Sequence, residues 1–314
     1  MVIKLKLFTN EKHYNTLSNY YKYKYNKKVI KISLNMNFTC PNKDGKKAYG
    51  GCTYCSHLGS GDFAGNPVDP IEKQFAVIKE MMSKKWPDAY FIPYFQANTN
   101  TYAPLETLKP LFLKAKDLDP NVKGISIATR CDCLEQNKVD FLGELNKICP
   151  VQIELGLQTS NEITSRLINR GHNNLEFIDA VKRLKEKNIE VVVHIMNFLP
   201  GETKEDMFNT IDFINKLHID GIKIHELCII KNTKMGQDYL KSPWKLPTLE
   251  EYVELVCEEI ARLDPNIIIH RLSADAPLED LIEPKWTIKK MVVMDEIDKR
   301  MRQLNLYQGD HFNK

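Results

Sequence analysis

Long hydrophobic runs are missing from this sequence. No apolar stretch approaches the roughly 20 residues that a membrane-spanning helix needs, which predicts a protein with no membrane association. The opening residues, MVIKLKLFTNEKHYNTL, have neither the apolar core nor the small-residue cleavage site of a secretory signal, so the expectation is a cytoplasmic protein. There is no low-complexity linker, no hydrolytic triad, no HExxH zinc motif and no repeat beyond an alternation of short β-like and helical runs. With 314 residues and 43% hydrophobic content, the chain suits one α/β barrel with extensions.

Acidic residues are scarce at one end. Residues 1–50 hold eleven lysines against Glu11 and Asp44, a balance of +9, so the remainder sums to −6 within a net charge of +3. The stretch YYKYKYNKKVIK interleaves Tyr20, Tyr21, Tyr23 and Tyr25 with Lys22, Lys24, Lys27 and Lys28. Lysines neutralise phosphates and tyrosine rings stack on bases. The alternative is a solvated surface segment whose lysine stems lie along apolar surface.

Runs rich in Ile, Val and aromatics at 29–38, 89–96, 124–129, 151–158, 190–198 and 221–229 predict six strands, mostly buried runs rather than clean alternation. Amphipathic patterns lie between them. One places Leu175, Ile178, Val181 and Leu184 on one face; another opens on Thr203 as N-cap, with Asp206 three residues on and Met207, Ile211 and Ile214 inside. Six β/α units imply a parallel sheet with right-handed crossovers, either open or a partial barrel. Residues 231–314 read as a mostly helical extension with a short strand, NIIIHRL, between its helices. The expected divisions are 1–28 as a basic segment, 29–230 as the barrel and 231–314 packed on it.

In parallel α/β folds, chemistry gathers at the carboxyl ends of the strands. Cys40 and the segments QANTN, TRCDCL, QTSNE, LPGET and KNTK each follow a predicted strand, and so should converge on one mouth. Three of the eight cysteines, Cys40, Cys52 and Cys55, fall in the first of these loops, and a reducing compartment disfavours disulfides. Grouped thiolates hold zinc or iron–sulfur clusters. With His57 they would complete a four-ligand zinc site; without a fourth ligand they would leave one iron of a cluster open. Cys131 and Cys133 read as ordinary thiols, and Cys149 and Cys257 as core.

A cysteine triplet on a Gly-rich loop after the first strand resembles the radical S-adenosylmethionine superfamily. The eleven residues between Cys40 and Cys52 depart from the usual C-x3-C-x2-C spacing. That gap, with CPNKDG, GGCTYC, YFQANTNTYAP, LGLQT, LPGET, HELCIIKNT and LYQG in order, resembles the YhcC/YtqA branch and the core of Elongator's catalytic subunit. The resemblance implies a partial (β/α)6 barrel and a 4Fe–4S cluster on Cys40, Cys52 and Cys55. It also implies S-adenosylmethionine on the open iron, whose reductive cleavage yields a 5′-deoxyadenosyl radical.

By the same resemblance, Gln96 and Asn98 stand where such proteins hold the ammonium of that cofactor. Gln158 and His194 stand near the ribose, Arg170 at the carboxylate, and Phe198 and Pro200 at the adenine, where glycine is usual in place of Phe198. Glu154 is a further cofactor contact or, alternatively, a barrel-interior ion pair. The branch implies a tRNA substrate, with the wobble uridine side chain taken from 5-carboxymethylaminomethyl to 5-aminomethyl. It also implies an electron donor such as flavodoxin or ferredoxin and a downstream methyltransferase. Lys22, Lys24, His225, Lys231 and Lys234 are the candidate substrate contacts. The competing readings are a radical enzyme acting on a metabolite or a protein, and a zinc-stabilised RNA-binding adaptor that is not an enzyme.

Overall fold

A computed structural model of the chain describes residues 7–59 and 61–312; residues 1–6 of the basic segment lie outside the described residues. Helix α1 (Leu17–Tyr25) leads into β1 (Val29–Leu34), followed by α2 (Ile71–Ser83), β2 (Tyr90–Phe95), α3 (Leu105–Lys116), β3 (Ile125–Thr129), α4 (Gln136–Asn146) and β4 (Val151–Gln158). Next come α5 (Glu162–Leu167), α6 (Asn174–Glu186), β5 (Glu190–Asn197), α7 (Lys204–Asn215) and β6 (Gly221–Glu226). The chain ends with β7 (Ile229–Ile230), α8 (Lys234–Lys241), α9 (Leu249–Arg262), β8 (Ile268–Arg271), β9 (Leu281–Glu283) and α10 (Lys290–Gln303).

Among the described residues, seven strands form one sheet in the order β1-β2-β3-β4-β5-β6-β8, every neighbouring pair parallel. The six expected strands are all present, in sequence order, as a partial barrel with helices outside. The seventh, β8, lies in the segment read as a helical extension, yet it joins the sheet beside β6. Residues just before α1 then pair with it: Thr16 bridges Ile269, and Ile269 N–H donates to Asn15 C=O. Gln308, from the LYQG segment, locks this closure by donating to the carbonyls of Asp264 and Ile267 while accepting from Asn15 N–H.

The strands are mostly buried along their length, as expected, but the residues of their two faces differ. Ile30, Ile32, Ile153, Leu155, Val191, Val193, Ile222, Ile224 and Ile269 belong to the core that packs under the helices. The intervening positions, Lys31, Ser126, Gln152, Glu154, His194 and Lys223, hydrogen-bond with one another on the opposite face. Helices cover only the outer face of this half-barrel, so the concave face is free to be polar, and a period of two results.

Capping follows the sequence signals. Thr203 and Asp206 form a reciprocal capping box at α7, as Asn173 and Glu176 do at α6. In α7, Met207, Ile211 and Ile214 are buried as expected. In α6 the buried face is Phe177, Ala180, Val181 and Leu184, and Leu175 is 77% exposed, so the apolar stripe is rotated from the expected one.

One carboxyl sits wholly inside. Glu259 of α9 is fully buried, takes a single hydrogen bond from Asn197 (2.8 Å) and leaves Oε1 without a partner. Burial pushes it up to about 8. The folded chain therefore keeps a proton that the unfolded chain releases, and this contribution to stability falls as pH rises towards 8. Glu259→Gln should match the parent at pH 5 and exceed it at pH 8 by on the order of 3 kcal/mol. Urea unfolding of both proteins at both pH values checks this; an equal difference at the two pH values refutes it. The variant–parent difference is the proper readout, because the neutral buried His194, lowered to about 4, slopes stability the other way below pH 6.5.

Candidate active site

The cysteine loop leaves β1 and spreads over the carboxyl ends of the other strands, held by bonds that do not involve sulfur. Thr53 N–H donates to Ile168 C=O (3.0 Å), Met235 N–H at the start of α8 donates to Thr53 C=O (2.8 Å), and Asn169 Nδ2 donates to Gly51 C=O (2.8 Å). Asn42 Nδ2 reaches the carbonyls of Asn169 (2.6 Å) and Arg170 (2.9 Å). Lys43 Nζ ties the carbonyls of Ser56 and His57 to Asn98 Oδ1 (2.8 Å), beyond β2. These approaches are close enough to demand glycine: a Cβ on Gly171 would lie 2.2 Å from Asn42 Oδ1, and one on Gly59 1.9 Å from Asn98 Oδ1, both at positive φ.

The three thiols are half-buried and free. Burial raises Cys52, against the positive charge of Arg130 and hydrogen bonds from Tyr54 and Asn42. Burial and the neighbouring Cys52 push Cys55 up to about 12, with Lys43 opposing. Arg130, from the TRCDCL segment, is pinned by a two-pronged contact with Asp132 (2.9 Å each) and also feels Cys40 and Cys52. Asn42 Nδ2 lies 3.6 Å from Cys52 Sγ, and Asn42 Oδ1, Thr53 Oγ1 and Ser56 Oγ are buried without partners. Three sulfur donors beside two fixed cations and N–H groups suit an anionic, thiolate-held iron–sulfur cluster. Among the described residues, no group of three or more His, Cys, Asp or Glu side chains could hold a single metal ion.

Around the mouth, three expected cofactor contacts hold a left-handed backbone, common for asparagine but unusual for glutamine and phenylalanine: φ is 56° at Asn98, 61° at Gln158 and 63° at Phe198. Left-handed non-glycine residues cluster at functional sites, and at 198 glycine would adopt this φ without strain. Gln96 Oε1 accepts from Ser33 Oγ (3.1 Å), and Pro200 sits in the turn closed by Glu202 N–H to Leu199 C=O (3.0 Å).

Three expected cofactor contacts are otherwise engaged. The Arg170 fork, expected to meet a carboxylate, is buried and donates to the carbonyls of His172 (3.0 Å), Leu157 (2.8 Å) and Thr159 (2.6 Å) and to Asn174 Oδ1 (3.2 Å). It clamps the end of β4. Glu154 is the interior ion pair that was its alternative. Its Oε1 accepts from Lys31 (2.5 Å) and Ser126 (2.9 Å), and its Oε2 from Lys223 (2.5 Å), His194 (2.6 Å) and Tyr94 (2.9 Å). Burial alone would raise this carboxyl; Lys223 and Lys31 outweigh burial and hold it well below the ordinary range. His194, expected near a ribose, belongs to the same network. Its ring stands 5.6 Å from that of His225, which lines the interior as well.

The basic N-terminal lysines are at the other end of the barrel. Tyr21 packs with Val29 and Ile92, and Lys24 pairs with Glu190, the first residue of β5, while lying over the rings of Tyr20 and Tyr25. Helix α1, which carries Lys22 and Lys24, thus closes the amino-terminal floor of the barrel and does not line the mouth. Lys231 donates to Glu279 C=O (2.7 Å) and Lys234 pairs with Asp238. The mouth instead carries residues not singled out from sequence: Asn42, Lys43, Arg130, and Tyr49, which is 81% exposed on the cysteine loop. Lys46, on the same loop, lies 5.5 Å over the ring of Tyr102.

Known proteins match this arrangement. Residues 40–214 match the model of the Radical SAM superfamily, and residues 219–303 match the Radical_SAM C-terminal domain. The uncharacterized protein YtqA of Bacillus subtilis is 43% identical over 304 residues, covering 97% of this chain and 94% of its own. Protein YhcC of Escherichia coli is 31% identical over 281 residues, covering 89% of each. Among solved structures, the archaeal Methanocaldococcus infernus Elp3 superposes with a TM-score of 0.67 at 16% identity, over 90% of this chain and 64% of that one. No helix among the described residues is long and apolar enough to cross a membrane. The half-barrel, the cysteine loop across its mouth and a family match over more than half of the chain agree: the chain belongs to the radical SAM superfamily.

Proposed function

We propose that this protein is a radical S-adenosylmethionine enzyme that modifies tRNA at the wobble uridine, converting the 5-carboxymethylaminomethyl side chain to 5-aminomethyl. Cys40, Cys52 and Cys55 would hold a 4Fe–4S cluster, with S-adenosylmethionine against Gln96, Asn98, Gln158, Phe198 and Pro200. Bound together, these two groups supply a 5′-deoxyadenosyl radical that removes hydrogen from a substrate. The chain's own contribution is placement. Arg130 and Asn42 steady the thiolates, Arg170 fixes the end of β4, and the concave face receives what passes the mouth.

The observation that carries the reading is a polar, charged interior directly beneath three thiols, opening past an exposed Tyr49 and the nearby Lys46. Such a rim suits an unstacked base and its phosphates, and a wobble base in a single-stranded loop can be splayed out without breaking a duplex. Likeness to Elongator proteins supports the same substrate class: Elongator complex protein 3 of Schizosaccharomyces pombe is 28% identical over 177 residues, 52% of this chain and 32% of that one. Anaerobic incubation with reductant, S-adenosylmethionine and tRNA carrying 5-carboxymethylaminomethyluridine, read by nucleoside mass spectrometry, should show that nucleoside replaced by 5-aminomethyluridine at position 34. An unchanged position 34 would remove the proposal.

A further inference from the structure

The interior network has one more cation than anion. Lys31 and Lys223 both bond Glu154, one through each carboxylate oxygen, and a second carboxylate, Glu190, joins only at the edge, through Gln152 Nε2 (3.1 Å). Lys31 uses three N–H groups, on Ser126 (3.2 Å), Gln152 (2.5 Å) and Glu154 (2.5 Å). Lys223 uses two, on Glu154 (2.5 Å) and Tyr94 (3.3 Å). Arg271, next along the sheet from Lys223, pairs with Asp275 (3.0 Å), a carboxylate that Lys290 also contacts (2.9 Å). Glu190, on the floor, is held by Lys24 (3.2 Å).

Beside the under-committed ammonium stand two imidazoles with nothing to bond. His225 Nε2 and His270 Nδ1 are buried and unpartnered. His225 lies two residues along β6 from Lys223, on the same face, and the His270 ring packs so close to Gly221 that a Cβ there would be 2.6 Å from Nε2. Burial keeps both rings well below their ordinary range, so each is neutral and can offer an N–H. An unbalanced buried charge and two orphan ring nitrogens are each unfavourable left as they are, and each is relieved by an anion.

We propose that the interior of the half-barrel is a carboxylate-binding site in which Lys223, His225 and His270 take the anionic end of a substrate arm. The site rests on the function proposed above in that the arm enters through the mouth. A carboxylate is the anion that the substrate arm proposed above carries. Lys223 lies three residues before the end of β6, roughly 10 Å at the rise of a strand, and His225 and His270 each lie one residue before the end of their strands, nearer the mouth.

The test uses anaerobically purified full chain, saturated with S-adenosylmethionine, with ring-nitrogen-labelled histidine assigned by single His→Gln variants. Sodium acetate should move the His225 and His270 signals in the parent and leave them unmoved in Lys223→Met. An anticodon stem-loop bearing 5-carboxymethylaminomethyluridine should bind at least tenfold more tightly than one bearing 5-aminomethyluridine, with that preference lost in Lys223→Met. Still rings in the parent, or inorganic phosphate moving them as readily as acetate, overturns the proposal; neither result needs the variant to fold. If acetate moves the rings but position 34 of tRNA is never altered, the carboxylate site stands and the wobble-uridine reading falls. If position 34 is converted with no acetate response and no carboxylate preference, the reverse holds.

Discussion

Serine at Cys52 should give a protein that unfolds as the parent does, yet leaves anaerobic iron–sulfide reconstitution colourless and forms no 5′-deoxyadenosine above background. The loop around Cys52 is fastened by Thr53, Asn42, Asn169 and Lys43 through main-chain and side-chain bonds that a serine leaves untouched. Its folding therefore does not depend on the metal, unlike a structural zinc site, where metal binding free energy is folding free energy. What serine removes is a soft, ionisable donor that meets Asn42 and Tyr54 and faces Arg130. With three thiolates and no protein fourth ligand, losing one leaves two donors for four irons, and cluster retention should drop below detection. Iron and sulfide analysis, the visible spectrum and chromatography of the nucleoside product measure it together with a denaturation curve. A brown, active Cys52→Ser protein would refute the cluster assignment. A colourless parent with one zinc per chain, and a variant that no longer folds, would favour the adaptor.

Much of this site was legible because its signals are local. Cys40, Cys52 and Cys55 fall on one loop after one strand, and a β/α rhythm alone says that such a loop lies at the mouth. The capping box at Thr203 and Asp206 and the buried Met207, Ile211 and Ile214 were equally local, since a helix end and a helix face are written within four residues. The sequence marks β8 as a strand but not its place in the main sheet, because a chain gives no sign of which sheet edge a lone four-residue strand will join.

What sequence obscured were relations across the barrel. The polar inner face is hidden in the sequence because apolar residues share it: Ile92, Val192 and Met196 take inward positions beside Tyr94 and His194, so each strand reads as a largely apolar run. Arg170 shows the same difficulty. Its acceptors are main-chain carbonyls of Leu157, Thr159 and His172, which every residue type possesses, so no residue pattern announces the clamp. The interleaved tyrosines and lysines of α1 have the composition of a nucleic-acid surface. In place, the rings meet each other and Tyr90, at centroid distances near 6.0 Å for Tyr21–Tyr25 and Tyr25–Tyr90, and the lysines lie over them. The same chemistry that would stack a base stacks the floor.

Glu154→Gln should destabilise the fold far more than Lys223→Met, although each removes one partner of the same ion pair. Glutamine keeps an oxygen for Tyr94 or Ser126 but removes the one negative charge, leaving two buried ammonium groups facing each other and an amide N–H directed at one of them. Breaking a buried pair in this way costs about 3–5 kcal/mol. Lys223→Met, in contrast, leaves Glu154 balanced by Lys31 and still bonded to Tyr94, His194 and Ser126. The methionine fills the volume of the lysine stem, so about 1 kcal/mol or less is expected. The double variant should recover much of the loss in Glu154→Gln, since it returns the interior to a single cation, and the coupling between the two sites should be 1–3 kcal/mol on the scale seen for residues in one network. Urea unfolding of the parent, the two single variants and the double variant at pH 7 reads all of this from one cycle. Equal losses from the two single changes would show that the interior carries no excess positive charge, and the case for an anion bound there would go with it.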